Sequence, residues 1–463
     1  MSVFNRKGPS AASRSILVSA TTGGDRELLP EHAIPVRDSA GEAFPSAHLG
    51  RPQLATAALF ALVSLGLLLA GLSNPKRMYF DEGYFVPEAR ALIQGVPNPD
   101  PQAPPLAKPP LGKLIMAVGM KIAGDNSFGW RIAGGVCGAL TVAAVYLWAF
   151  LLLQDSSLAF LAAGLALLNN FLFVMSRIAT VDVFLMVFLI WSLVAYTAAL
   201  VLPLRVGKRR FLFCSAGVLV GLAGACKWNA IDTLAVFILV AFALWVASRF
   251  KARALNPALS GYARHVAEAG ISFLLIALVA APIAAYSLVF WPLCWLIHLP
   301  FNLHQLAAIN IFMWHFNRTT VTNPFLISPW YSWPLNLKPQ RSLSYLVGNP
   351  VITWTGLLAL VLCLRRFWKE LALPEALVLL LFGANFLQWA VTPQSGLYYY
   401  YYYPCVMVLG MAIAVALRSL PARIFGMRLN LLFLLTAAVV FVRCYPQMAH
   451  LDTPWDCIFG CWP

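Results

Sequence analysis

The chain has 463 residues; 60% of them are hydrophobic, 11% are charged, and the mean hydropathy is +0.74. Because soluble domains are about 45–50% apolar and about 25% charged, this composition excludes an ordinary soluble enzyme, a disordered protein and a disulfide-stapled secreted domain. The formal net charge of +15 would suggest nucleic acid in a soluble protein, but in a membrane protein basic residues mark the cytoplasmic loops. The sequence therefore predicts a polytopic membrane protein that binds no nucleic acid.

Residues 1–51 are polar and rich in Ser, Ala and Gly. They contain no apolar h-region, so we do not expect a cleaved signal peptide. Their composition predicts a flexible cytoplasmic tail, and we assign the membrane domain to residues 52–463.

Eleven apolar runs follow the tail, and each comes near the roughly 20 residues that cross the hydrocarbon core of a bilayer. They cover residues 54–72, 133–153, 157–175, 181–203, 211–227, 231–248, 267–293, 347–364, 373–391, 398–417 and 429–443. Runs of this length predict an all-α polytopic membrane protein with about eleven transmembrane helices.

Basic clusters follow the fourth, sixth, eighth and tenth runs, and they lie on one side of the membrane if every run spans it. The positive-inside rule makes that side cytoplasmic. The N-terminus is then inside, the C-terminus with Cys457 and Cys461 is outside, and two long segments, about 73–132 and 294–346, are external. Both segments mix apolar and polar residues at helical spacing, which predicts interfacial helices. Whether the two cysteines are bonded stays open.

The first candidate site is the Asp81-Glu82 pair, just after the first predicted span on its outer side. Two adjacent carboxylates at a membrane surface are costly when they are desolvated and unpaired, and one of them could act as a general base toward a hydroxyl group. The same residues also fit a helix N-terminus, with Asp as the cap and Glu in the first turn. Both interpretations can hold together.

A set of basic residues lies on the same outer side, at or near the ends of spans. Its members are Arg131, Arg177 and Lys227, and Lys108 and Lys113 lie at a predicted loop-to-helix junction on the same side. Several cations that face a carboxylate pair suggest a pocket for a phosphate, although charged residues at span ends also extend toward water for structural reasons. Arg177 could equally form an ion pair with Asp182.

The second external segment contains His304, His315 and a dense group of aromatic residues around Trp330. The two histidines lack the spacing of a metal motif, and the chain has no Cys-x-x-Cys pair, so the sequence predicts no metal site and no cofactor. The aromatic side chains could stack on a sugar ring or anchor an interfacial helix.

Seven motifs occur in a fixed order along the chain. They are Asp81-Glu82, Pro109-Pro110-Leu111-Gly112-Lys113, Trp130-Arg131, Ser176-Arg177 with Asp182, Cys226-Lys227-Trp228, Ser328 to Leu335 with Gly348-Asn349-Pro350, and Tyr398 to Pro404. Together they resemble the protein O-mannosyltransferase family of the type-C glycosyltransferase superfamily, in its short bacterial form. The resemblance covers roughly residues 75–460.

The resemblance implies a polyprenyl-phosphate donor of a sugar, by the family name mannose, and a Ser or Thr hydroxyl of an exported protein as acceptor. It also implies inversion at the sugar without a metal. In this family pattern Asp81 is the general base, Glu82 is its neighbour in the catalytic motif, and Arg131 and Lys227 lie near the lipid phosphate. We place Arg177 in the same phosphate pocket.

Two positions depart from the family pattern. Lys108 stands where the family usually has His before Pro-Pro-Leu-Gly-Lys, and Asn323-Pro324-Phe325 stands where it usually has His-Pro-Tyr. Both lie in outer loops that shape the sugar and acceptor pockets. We therefore expect Lys108, Asn323 and Trp330 to line these pockets.

Other functions fit parts of the pattern. A transferase that moves a lipid-linked sugar to lipid A or to a cell-surface glycan would have the same active face and differ in its acceptor. A transporter or flippase would place charged residues near the bilayer midplane and use paired broken helices, whereas the charged residues here lie at span ends. A non-catalytic scaffold gives no reason for two carboxylates to face a rim of cations.

Overall fold

The computed structural model describes most of the membrane domain. The described residues are 48–95, 107–249, 257–319, 327–339, 345–391, 396–420, 423–424 and 427–451. The predicted tail lies outside them except for its last four residues. Asn323, Cys457 and Cys461 also lie outside the described residues.

The described residues are helical along nearly their whole length. The α-helices are α1 (Arg51–Leu69), α2 (Glu82–Gln94), α3 (Leu111–Ala123), α4 (Ser127–Leu153), α5 (Ser156–Leu167), α6 (Asn170–Ser176), α7 (Asp182–Val201), α8 (Val206–Gly224), α9 (Ala230–Arg249), α10 (Pro257–Ala269), α11 (Ile271–Leu275), α12 (Ala281–Leu288), α13 (Phe290–Leu296), α14 (Leu303–Thr319), α15 (Pro350–Glu370), α16 (Leu373–Val391), α17 (Tyr403–Leu417) and α18 (Leu429–Met448).

Three shorter kinds of structure complete the chain path. A π-helical segment, Ile276–Ala280, joins α11 to α12, and 3-10 turns cover Trp330–Ser332 and Tyr399–Tyr402. The strands β1 (Arg423–Ile424) and β2 (Met427–Arg428) form a short antiparallel pair. The predicted all-α fold class is confirmed, because this pair is the one sheet among the described residues.

Nine helical stretches in the described part of the chain are long and apolar enough to cross a bilayer, and the bent pair of α5 and α6, which meet at 53°, makes a tenth. The helix α8 covers the remaining predicted run and carries Lys208, Arg209 and Arg210 near its start. All eleven predicted runs therefore lie largely on helices, and the chain is a multi-pass membrane protein.

The centre of the membrane domain is built from α4, α7 and α17, whose residues are almost all buried. Helices that are apolar on every side are typical of positions surrounded by other helices. The helices α1 and α18 bury few residues and expose large apolar side chains such as Leu62 and Val439. Exposed apolar side chains of this kind are suited to contact with lipid.

Both predicted external segments contain helices, as the sequence pattern indicates. The helices α2 and α3 lie in the first segment and α14 lies in the second. The helix α3 begins directly after Pro109 and Pro110, because the fixed φ of proline suits the start of a helix. The start of α2, the loop before α3 and the helix α14 together position the candidate site.

One close helix contact forms where α8 crosses the π-helical segment and the start of α12. A Cβ atom on Gly217 would lie 1.8 Å from the Ala277 carbonyl oxygen, and one on Gly221 would lie 2.3 Å from the Pro282 carbonyl oxygen. Main chain therefore packs directly on main chain, which small residues permit between membrane helices.

We predict that Gly217→Ala destabilises the protein, because the added methyl group would push α8 away from the π-helical segment. Overpacking of this kind costs typically about 1–3 kcal/mol. Thermal unfolding in detergent measures the loss. The matched control is Gly66→Ala in α1, where no described atom outside the helix's own backbone lies within 4 Å of the added Cβ. Equal unfolding temperatures for the two variants would contradict the proposed contact.

Candidate active site

Asp81 lies immediately before α2, and its side chain is half-buried. Its carboxylate makes no capping hydrogen bond to α2 in the described structure, so the helix-cap interpretation does not explain this residue. The carboxylate instead contacts the Tyr400 hydroxyl, and it lies close enough to Lys227 and Lys108 for both cations to act on its charge. Asp81 is thus available for chemistry.

Glu82, the neighbouring carboxylate, is fully buried and is used in structural bonds. Its Oε1 accepts hydrogen bonds from Arg131 Nε at 2.7 Å and from the Ala179 backbone N–H at 2.9 Å. Its Oε2 accepts from Arg131 Nη2 at 2.8 Å and from the Tyr79 backbone N–H at 3.3 Å. Because both oxygens are occupied, these bonds support a role for Glu82 in positioning the Asp81 segment, and its catalytic role stays a prediction.

Arg131 is fully buried as well, and its guanidinium group is bound on every side. Besides Glu82, it donates to the carbonyl oxygens of Leu72 at 3.1 Å, Pro75 at 2.8 Å and Arg77 at 3.2 Å. A guanidinium group offers five N–H donors, and this site uses both of its terminal nitrogens and Nε. Arg131 therefore binds the loop between α1 and α2, and its role at the donor phosphate stays a prediction.

Arg177 has a similar structural role at the end of α1. Its Nη1 donates to the carbonyl oxygens of Leu68 and Ala70, both at 2.7 Å, and its Nη2 donates to that of Gly71 at 2.9 Å. The last carbonyl groups of a helix lack partners within the helix, and a cation satisfies them well. Arg177 thus caps α1, and its role as a phosphate ligand also stays a prediction.

Lys227 follows α8 and pairs with Asp182, with Nζ 2.7 Å from Oδ1. The alternative pairing of Asp182 with Arg177 is therefore not the one that forms. The Nζ atom also lies 4.2 Å from the ring centre of Tyr401 and 5.0 Å from that of Tyr400. These contacts hold the ammonium group beside Asp81, whose carboxylate touches the same Tyr400.

The local environment shifts the pKa values of Asp81 and Lys108 toward each other. Burial raises the pKa of Asp81 to about 6, and the nearby Asp182 carboxylate adds to the rise. Lys227, the Tyr400 hydroxyl and Lys108 oppose it. Burial, together with the charge of Lys227, lowers the pKa of Lys108 to about 8, although the Asp182 and Asp81 carboxylates oppose this shift. Near neutral pH the site therefore holds an ionised carboxylate and an ammonium group.

A cavity of about 480 Å³ opens beside these residues. Lys108, Lys227 and Tyr401 lie in its wall, and side chains of α8, α9, α12, α14 and α16 complete the wall. Most of that wall is apolar, as at Leu234 and Ile283, while Lys108, Lys227 and Arg318 give it positive charge. Such a cavity suits an anionic group that is attached to an apolar chain.

The family model described as dolichyl-phosphate-mannose-protein mannosyltransferase matches residues 107–263, which include Lys108 and Lys227. The chain is also 25% identical to a polyprenol-phosphate-mannose–protein mannosyltransferase of Mycobacterium tuberculosis, over 86% of this chain and 85% of that protein. A protein of the same name from Corynebacterium glutamicum is 25% identical over 79% of this chain and 82% of its own length. The chain is thus similar to protein O-mannosyltransferases over most of its length. It is therefore a glycosyltransferase.

Solved structures show the same type-C glycosyltransferase fold. The protein O-mannosyltransferase Pmt1-Pmt2 complex of S. cerevisiae, bound to the sugar donor, has a TM-score of 0.71 at 13% identity, over 87% of this chain and 91% of that chain. ArnT from Cupriavidus metallidurans, bound to undecaprenyl phosphate, has a TM-score of 0.56 at 16% identity, over 85% of this chain and 70% of that chain. At these identities the likeness concerns the fold.

The structure brings together three of the residues that the sequence selects in this transferase, namely Asp81, Lys108 and Lys227. Trp330 lies in a 3-10 turn and packs on Phe386, with ring centres 5.1 Å apart. It does not line the cavity described above, and its place in the sugar or acceptor pocket stays a prediction.

Several cavity residues of the transferase were missed in the sequence. Asn317 in α14 accepts a hydrogen bond from Lys108 Nζ and donates to the Ala107 carbonyl oxygen at 3.3 Å, so it fixes Lys108 in the cavity wall. Asn229 and Gln388 also line the cavity. An available signal was the presence of a polar side chain in an apolar run, as at Gln388, because such residues are costly in a membrane without a role.

We predict that Glu82→Gln strongly destabilises the transferase, whereas Asp81→Asn does not. Loss of Glu82 leaves the buried Arg131 charge unpaired, and breaking a buried ion pair in this way costs about 3–5 kcal/mol. Thermal unfolding of the purified variants measures the difference. Asp81→Asn is the matched control because it changes the adjacent carboxylate to its isosteric amide. A Glu82→Gln variant as stable as Asp81→Asn would contradict the positioning role.

Proposed function

We propose that the chain transfers a mannosyl residue from a polyprenyl-phosphate donor to Ser or Thr hydroxyl groups of exported proteins. The observation that carries the proposal is the Asp81 carboxylate, which makes no capping bond and lies near Lys108 and Lys227, two lysines that line an apolar cavity. A base and a cationic phosphate site are the parts that this reaction needs. The names of the mycobacterial and corynebacterial relatives, polyprenol-phosphate-mannose–protein mannosyltransferase, support the same donor and acceptor class.

In the proposed reaction the acceptor hydroxyl loses its proton to Asp81 while its oxygen attacks the anomeric carbon of the sugar. The new bond forms on the face opposite the phosphate, the bond between the anomeric carbon and the phosphate oxygen breaks, and the configuration inverts. The polyprenyl phosphate leaves with the bonding electron pair. Lys227 and Lys108 hold this phosphate and stabilise the negative charge that develops on it.

Two features support a lipid-linked donor in particular. The cavity wall combines apolar side chains with the ammonium groups of Lys108 and Lys227, which suits a phosphate at the end of a prenyl chain. The structurally similar ArnT binds undecaprenyl phosphate, and the yeast Pmt1-Pmt2 complex was solved with its sugar donor.

We place residues 1–51 in the cytoplasm and the active site with the C-terminus outside, in the inner membrane of a bacterium. The positive-inside rule supports this orientation, because Lys208, Arg209 and Arg210 lie near the start of α8 whereas Lys227 follows its other end. Residues 52–463 then form the transferase domain.

We predict that Asp81→Asn lowers the turnover number by about 10²–10⁴-fold, the range for loss of a general base. The amide keeps the shape of the side chain but cannot take the hydroxyl proton. Turnover is measured with purified protein in nanodiscs, with a synthetic polyprenyl-phosphate mannose and a Ser/Thr peptide. Donor binding, measured on the same samples, should remain. Near-normal turnover would exclude Asp81 as the base.

We predict a bell-shaped pH profile of kcat/KM with limbs near pH 6 and pH 8. Below about pH 6 Asp81 becomes protonated and can no longer accept a proton, and above about pH 8 Lys108 loses the charge that holds the phosphate. In Lys108→Arg the cation stays charged throughout, so the alkaline limb should disappear while the acid limb stays. A profile that is flat from about pH 5 to about pH 9 would contradict these assignments. An unchanged alkaline limb in Lys108→Arg would contradict them as well.

A further inference from the structure

Three polar side chains form a hydrogen-bonded chain at one end of the cavity. Asn229 precedes α9, Asp232 lies in the first turn of α9, and Gln388 lies near the end of α16. Asn229 Nδ2 donates to Gln388 Oε1 at 3.1 Å, and Gln388 Nε2 donates to the Asp232 carboxylate. Polar residues within membrane helices are costly and commonly mark substrate sites.

The chemistry of the partners fixes which way each amide group points. Gln388 Nε2 lies between two groups that accept hydrogen bonds, the Asp232 carboxylate and the Asn385 carbonyl oxygen at 3.2 Å. Gln388 must therefore turn its nitrogen to them and its oxygen to Asn229. Asn229 must in turn offer its nitrogen to Gln388, which leaves its Oδ1 without a donor among the described residues.

The free Asn229 oxygen belongs to a side chain in the cavity wall, two residues beyond Lys227. An amide oxygen can accept a hydrogen bond but cannot donate one. It therefore fits a hydroxyl group and repels a phosphate oxygen, which carries no proton when ionised. The prenyl part of the donor has no hydroxyl group, so the bound group is either a sugar hydroxyl or the hydroxyl of the acceptor.

We propose that Asn229 is a specificity-determining residue that accepts a hydrogen bond from one hydroxyl group of the donor sugar, and that Gln388 and Asp232 hold it in the required orientation. The proposal rests on the proposed function for the identity of the donor. The sugar is favoured over the acceptor because Asn229 shares its cavity with apolar side chains of α8, α9 and α12, such as Val220 and Ile283. A lipid-linked substrate enters such a site more readily than a polar peptide does.

The test uses the full-length protein in nanodiscs, a short-chain polyprenyl-phosphate mannose, and a set of monodeoxy analogues that each lack one sugar hydroxyl. We expect the wild-type protein to disfavour one analogue by about tenfold in kcat/KM, the scale of one lost hydrogen bond. Asn229→Leu should use this analogue and the parent donor equally well, and its ratios for the other analogues should not change. Asp232→Asn should weaken the same discrimination. An amide at this position can donate a hydrogen bond as well as accept one, so it no longer requires Gln388 to turn its nitrogen toward it.

Each ratio compares two donors on one preparation, so a partly unfolded sample does not alter it. The control variant is Thr436→Val on α18, whose exposed hydroxyl bonds only to carbonyl groups of its own helix among the described residues, and it should keep the wild-type ratios. Transfer of mannose from the parent donor by the wild-type protein tests the proposed function separately. With that transfer established, unchanged discrimination among the donor analogues in Asn229→Leu overturns the inference. A higher KM for the acceptor peptide in Asn229→Leu, with unchanged donor ratios, overturns it as well.

Discussion

The buried ion pair of Glu82 and Arg131 determines how the catalytic segment is held. Its two charged groups are removed from water, so each must be satisfied by several hydrogen bonds. These bonds join the start of α2 to α4, to the loop that follows α1, and to the backbone N–H of Ala179 before α7. Because Glu82 takes over the structural bonding, the adjacent Asp81 carries none of it. The pair thereby holds the segment that carries Asp81, the proposed base, and leaves the Asp81 carboxylate free of capping bonds to α2.

Four basic residues of the outer side differ in the groups that they bind. The two arginines, Arg131 and Arg177, face inward and bind backbone carbonyl groups, since a planar guanidinium group can satisfy several acceptors at once. The two lysines, Lys108 and Lys227, lie in the cavity wall, where each has one anionic or amide partner. An ammonium group has three donors that rotate freely, so both can keep their protein contacts and still approach a phosphate. Lys108 and Lys227, rather than Arg131 and Arg177, are therefore assigned to the proposed donor site.

Hydropathy was sufficient to predict the membrane spans, because a bilayer requires a long apolar run for every crossing. The candidate base could also be predicted, since Asp81 stands in a motif at an outer span end. The roles of Arg131 and Arg177 could not be predicted: a cation at a span end looks the same in the sequence whether it binds a phosphate or a carbonyl group. Their partners converge from distant parts of the chain. The pairing of Asn229 with Gln388 is equally non-local, although either residue alone is conspicuous in an apolar run.

The contact of α8 with the π-helical segment has a consequence for inhibition. Gly221 and Pro282 belong to the cavity wall, and at this point the wall consists of main chain packed on main chain. Most substitutions that alter the surface here would also separate the two helices and damage the fold. A small molecule that seats itself against this part of the wall would therefore leave the transferase few mutational routes to resistance, in contrast to one that relies on replaceable side chains elsewhere in the cavity.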